Sequence, residues 1–123
     1  VETHDAWTDC GHVAAVMEQV HHPAVGVNWD PMHPLRQSGW TIERQWERLG
    51  RWVRHVHTHD GTLRLDQLKI LPMGTGEIDH APAIRALRDA GFTGYVSVEY
   101  EASTPAPEHL PHEIKTMKQY EQS

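Results

Sequence analysis

Three short stretches of this chain hold residues suited to chemistry. Asp30-Pro31-Met32-His33 sets an imidazole three positions after a carboxylate, and His55-Val56-His57-Thr58-His59-Asp60 alternates histidine with other residues. The stretch 95–101 brings Ser97, Glu99 and Glu101 into one phase. Successive side chains of a strand point to opposite faces. If 24–30 and 95–101 are strands, Asp30 and Glu99 stand near their C-terminal ends, opposite the apolar stripes Val25, Val27, Trp29 and Val96, Val98, Tyr100. In 53–59 the in-phase set is Val53, His55, His57 and His59, which aims three imidazoles one way. Parallel strands are expected to be buried on both faces, so a run of polar residues on one face needs a reason. A metal centre supplies one. Glu2, at the end of what would be a first strand, completes a set of four successive strand ends: Glu2, Asp30, His57 and Glu99. Three carboxylates and one imidazole suit Mn2+, Mg2+, Co2+ or Zn2+. His33 lies close enough to approach the same ligand as a substrate or outer contact.

The elements that must position these residues follow from periodicity. Val13, Ala14, Val16, Met17 and Val20 form a helical stripe over 10–20. A short β-branched strand at 24–29 enters a loop containing Pro31, Pro34 and Gly39. Ile42, Trp46 and Leu49 predict a helix stopped by Gly50. Residues 53–58 read as a strand, and 60–78 as a long connection of the kind that is functional or ordered by short elements of its own. Asp79 caps a helix over 80–90 that ends at Gly91, 95–100 is a strand, and a Pro-punctuated linker leads to a helix near 111–121. Strand and helix alternate with connections too long for hairpins, which predicts right-handed βαβ units, a parallel sheet and a ligand site where the strand ends converge.

The motifs Asp30-Pro31-Met32-His33, His55-Val56-His57-Thr58-His59-Asp60, Gly74-Thr75-Gly76-Glu77-Ile78-Asp79 and Gly94-Tyr95-Val96-Ser97-Val98-Glu99 resemble, in order, the later strands of the xylose isomerase-like sugar phosphate isomerase/epimerase family. The resemblance runs to about Ser103. It implies an α/β fold: the C-terminal half of a (β/α)8 TIM barrel, four parallel βα units in 1–103, followed by a linker and C-terminal helix in 104–123. It also implies a divalent metal on Glu2, Asp30, His57 and Glu99, with Glu2 and Glu99 as acid and base and His33 as a substrate-contacting histidine. Trp7 and Trp40, on loops at the same end, are candidates to line a sugar pocket, and His59 is a further candidate substrate contact. Because such barrels run to about 250 residues, the resemblance covers only the second half. The scaffold hosts ketose epimerases, aldose/ketose isomerases, inosose and shikimate-pathway dehydratases and a repair endonuclease branch.

Proton transfer beside a carbonyl needs a base, an acid on the opposite face and a cation to hold the enediolate oxygens. Two glutamates and one metal meet that requirement, so the expected activity is a divalent-metal-dependent sugar or sugar phosphate isomerase/epimerase. A dehydratase, an endonuclease-like phosphodiesterase and a non-catalytic metal-binding half-barrel are the alternatives. Seventeen acidic residues against 11 basic ones give a net charge of −6. That balance opposes phosphate attraction, so nucleic acid is not an expected partner. No apolar run reaches the roughly 20 residues of a membrane span, which sets membrane partners aside. A single Cys10 excludes an internal disulfide framework and multi-thiolate zinc sites, and suits a reducing, cytoplasmic setting. Eleven histidines are the one compositional excess. The opening residues lack an initiator methionine, which suggests a piece of something longer, completed by a missing N-terminal half or by a homo-oligomer partner. Of the other histidines, His55 reads as a packed histidine beneath the site, and His21, His22, His80, His109 and His112 as solvated. Gly74-Thr75-Gly76 reads as a turn rather than a nucleotide loop.

Overall fold

The structure, a computed structural model, describes residues 1–100 and 104–123. Glu101 lies outside the described residues. Strands β1 (Val27–Trp29), β2 (Val53–Thr58) and β5 (Val96–Val98) form a parallel sheet in the order β1-β2-β5. The expected first strand is reduced to a single parallel bridge between Glu2 and Asn28. It is extended by hydrogen bonds from Asn28 N–H to Val1 O (2.8 Å) and from Thr3 N–H to Asn28 O (3.2 Å). Helices α1 (Cys10–Val20), α3 (Ile42–Leu49) and α4 (Ala81–Asp89) pack on the other face of the sheet. Val13, Ala14 and Met17 of α1, Ile42 and Leu49 of α3, and Ala83 and Leu87 of α4 meet Val27, Trp29, Val53 and Val56 there. Trp29 is fully buried, and its indole N–H donates to Gln45 Oε1 at 2.9 Å, so the largest core side chain keeps its one polar group satisfied. Trp40 packs against this same core, with Arg44 over its ring at 5.1 Å. Cys10 is buried, and burial pushes its thiol up to about 12, which makes it inert.

Several further expectations need correction. Val53 does not share a phase with His55. The register runs Val27 opposite Val53, then Asn28 opposite His55, so Arg54 is an extra residue, a β-bulge that sends its side chain to solvent and turns Val53 into the core beside Val56. Gly26 sits against the bulge, where a Cβ would meet the Arg54 side chain and Trp52 O. The Pro31 to Gly39 stretch is not a loop: Met32–Ser38 forms α2. Pro31 occupies the N-cap and Pro34 the first turn, where no intrahelical acceptor awaits an N–H, and Gly39 ends the helix at φ +68°. The last helix, α5 (Ala106–Gln122), begins five residues before the expected 111, for the same reason at Pro107, and tolerates Pro111 inside it.

The long connection is ordered by a two-stranded antiparallel hairpin, β3 (Asp60–Gly61) with β4 (Ile70–Leu71), and by one side chain. The Asp60 carboxylate, 1% exposed, accepts backbone N–H groups from Gly61 (2.8 Å), Gly74 (2.9 Å), Gly76 (2.9 Å) and Ile78 (3.3 Å). Gly74-Thr75-Gly76 is therefore a turn wrapped around a carboxylate, and a Cβ at Gly76 would collide with Asp60. Burial raises the Asp60 carboxyl, but His80 and the N–H groups of Gly76 and Gly61 outweigh it and hold it below the ordinary carboxylate range. His80 is buried, against expectation. It bonds Thr58 Oγ1 at 3.2 Å and tilts over Tyr120 of α5, because α5 closes over the β2 end that it occupies. Asp60→Asn replaces an acceptor-only group with one that turns an N–H2 toward other N–H groups, and is expected to cost about 3 kcal/mol. The stabilisation is fully present above the ordinary Asp pKa and is lost as pH falls through the lower folded value, so the wild-type chain sheds it below about pH 4. Urea unfolding across pH 3–7 should show a shallower acid loss in the variant; equal acid sensitivity would contradict the assignment.

Candidate metal centre

Glu2, Asp30, His57 and Glu99 converge, each offering one donor atom within 4.8 Å of the others. Their positions follow from the sheet. His57 stands opposite Ser97 in the β2–β5 register, and Glu99 N–H bonds Thr58 O at 2.9 Å, which seats Glu99 one step beyond β5. On the other side, the buried Thr3 hydroxyl accepts from Asp30 N–H and donates to Asp30 O, both at 2.8 Å. This ties the residue after Glu2 to the backbone of Asp30. Thr3 was not expected from the sequence, because its partner lies 27 positions away.

His57 Nδ1 lies 2.8 Å from Glu2 Oε1 and 3.3 Å from Glu99 Oε2, so the two glutamates flank one imidazole. Asp30 is fully buried. Its Oδ1 accepts Met32 N–H at 3.1 Å, which starts α2, and its Oδ2 meets His59 Nε2. His33, on the first turn of α2, brings Nε2 to 3.6 Å from Asp30 Oδ2, beyond hydrogen-bond length, and among the described residues both its ring nitrogens have no hydrogen-bond partner at 4% exposure. Burial pulls His33 below the ordinary imidazole range, with the charge of Asp30 opposing, so it stands neutral with one donor and one acceptor to offer. Burial also pulls on His59, but the hydrogen bond to Asp30 and the charges of Asp30, Glu99 and Glu2 outweigh it and hold His59 above its ordinary range. His4, His33, His59, Leu68, Ile70 and Glu99 line a cavity of about 80 Å³ beside the cluster. Trp7, in a 3-10 turn over Asp5–Trp7, is 41% exposed and borders Glu2 and His4. His55, beneath the site, bonds Ser97 Oγ at 3.0 Å as a packed histidine should.

The donor set fits a divalent cation. Two carboxylates no more than 4.8 Å apart repel by at least about 3.5 kcal/mol at the effective dielectric near a protein surface. Three such groups around one imidazole are far better satisfied by a cation than by each other.

The sequence matches the xylose isomerase-like TIM barrel family over residues 1–120. The chain belongs to that family. No curated protein matches its sequence significantly. The xylose isomerase-like fold is borne out by solved structures. A xylose isomerase domain protein from Planctomyces limnophilus matches with TM-score 0.75 at 18% identity, over 93% of this chain and 42% of that one. The probable 3-DHS dehydratase AsbF from Bacillus anthracis matches with TM-score 0.79 at 19% identity, over 96% and 48%. A D-allulose 3-epimerase from Methylomonas sp. gives TM-score 0.77 at 15% identity, over 97% and 47%. The chain thus spans less than half the length of these structures and is a partial TIM barrel of the xylose isomerase-like family. Among the described residues no helix is long and apolar enough to cross a membrane.

Proposed function

We propose that this chain carries the metal-binding side of a divalent-metal-dependent isomerase or epimerase that moves a proton at the carbon beside a sugar carbonyl. The convergence of Glu2, Asp30, His57 and Glu99, with the two glutamates flanking His57, carries this reading. A cation on those four residues would supply Lewis-acid stabilisation of the negative charge that develops on oxygen during enolisation. Glu99 removes the proton from carbon and Glu2 returns one from the other side. The neutral His33 offers an N–H to one hydroxyl and a lone pair to another, and Trp7 gives the substrate an apolar flank. Among the described residues, β5 and the Val1 to Thr3 segment each have a pairing partner on one side only. A closed barrel adds strands at both edges, from further chain or from a second copy.

The similarity in fold to an epimerase and a probable dehydratase supports a reaction that begins with proton abstraction, which both outcomes share. The test is to load the closed barrel with Mn2+ or Co2+ and incubate it in D2O with ketopentoses and ketohexoses, free and phosphorylated. An epimer or isomer carrying deuterium beside the carbonyl supports the proposal. Loss of water to an unsaturated product moves the assignment to a dehydratase, and absence of both product and exchange across the panel rejects it.

A further inference from the structure

Ligand residues bind a cation only as well as their own partners hold them in place, and Asp30 and Glu99 come from different strand ends with β2 between them. His59 lies between the two. His59, just past the end of β2 and 6% exposed, meets Asp30 Oδ2 with Nε2 and brings Nδ1 to 3.8 Å from Glu99 Oε2. Its ring is braced edge-on by His33, with centroids 5.1 Å apart. Its backbone cannot swing away, because the next residue is Asp60, whose two carboxylate oxygens are held by four N–H groups of the hairpin connection.

We propose that His59 is a positioning residue that fixes Asp30 through Nε2, with Nδ1 facing Glu99 from 3.8 Å, and so sets metal affinity without touching cation or substrate. The proposal rests on the reading of Glu2, Asp30, His57 and Glu99 as the metal centre. It replaces the sequence-based expectation of His59 as a substrate contact, since Nε2 is engaged by Asp30 and Nδ1 faces Glu99. Asp30, His33 and His59 also form a three-residue group with donor atoms within 4.8 Å, so a ligand role for His59 is the competing outcome.

The test strips the full chain with a chelator and titrates Co2+ into the wild type, His59→Ala, His59→Gln and Asp30→Ala, following visible absorption and heat. His59→Ala should bind one Co2+ per chain about 10–100-fold more weakly, the usual effect of removing an outer partner, with an altered d–d spectrum. His59→Gln should recover most of the affinity and the wild-type spectrum, because its amide N–H reaches toward Asp30 as Nε2 does. Wild-type affinity in His59→Ala, affinity in His59→Gln as weak as in His59→Ala, or two Co2+ per wild-type chain falling to one on loss of His59 would each overturn the proposal. If Asp30→Ala also binds as the wild type does, the metal reading itself has failed. If only the His59 variants behave as the wild type, the positioning role alone has failed.

Discussion

Replacing Asp30 with alanine is expected to lower the affinity for Mn2+ or Co2+ by more than about 100-fold, beyond the upper end of what losing an outer partner costs. Asp30 is the one fully buried member of the cluster, and its placement is over-determined: Thr3 holds its backbone, Met32 N–H takes Oδ1 and His59 takes Oδ2. No neighbouring carboxylate can shift to replace a donor held this way, because Glu2 and Glu99 already meet His57 from their own strand ends. His57→Ala should act in the same direction. His12→Ala, at an exposed position on α1, should leave metal content unchanged. Equilibrium dialysis with elemental analysis decides the matter, with circular dichroism of the metal-free variants to confirm folding. Equal loss in His12→Ala, or none in Asp30→Ala, would remove the metal centre from the account.

The second large effect is on turnover. Glu99→Gln keeps the shape of the side chain and removes its capacity to take a proton, and general bases of this kind contribute about 10²–10⁴-fold to rate. At saturating Mn2+ in a closed barrel, deuterium uptake from D2O beside the carbonyl should fall by that factor. Saturation matters because the substitution also removes a negative charge from the cluster and weakens cation binding. Glu2→Gln should suppress return of the proton, so that conversion to product falls more than exchange of the starting sugar. Turnover that survives Glu99→Gln with wild-type exchange would place the base elsewhere.

The phase of the candidate residues Asp30, His57 and Glu99 and the parallel α/β sheet were legible in the chain because both depend on short-range periods, whereas the barrel was implied by the resemblance of four motifs to a known family. A strand repeats every two residues, so Asp30 and Glu99 could be placed opposite their apolar stripes, and helices α1 and α3 emerged at their observed positions from i, i+3, i+4 spacing. The tertiary structure decided whatever depends on partners distant in sequence. The Arg54 bulge, set by how β1 and β2 register, reversed the phase of Val53 while leaving His55 and His57 on the inner face. His80, read as solvated, is buried because α5 folds back from about 40 residues later to cover it. Asp60 became the organiser of its own connection because Gly74, Gly76 and Ile78 return 14, 16 and 18 positions later to meet its carboxylate. His59 likewise could be counted among the in-phase imidazoles from the sequence. That it turns toward Asp30 and Glu99 follows only from assembly of the sheet, since a strand's two-residue period gives the face of a side chain but not which neighbour across the sheet it meets.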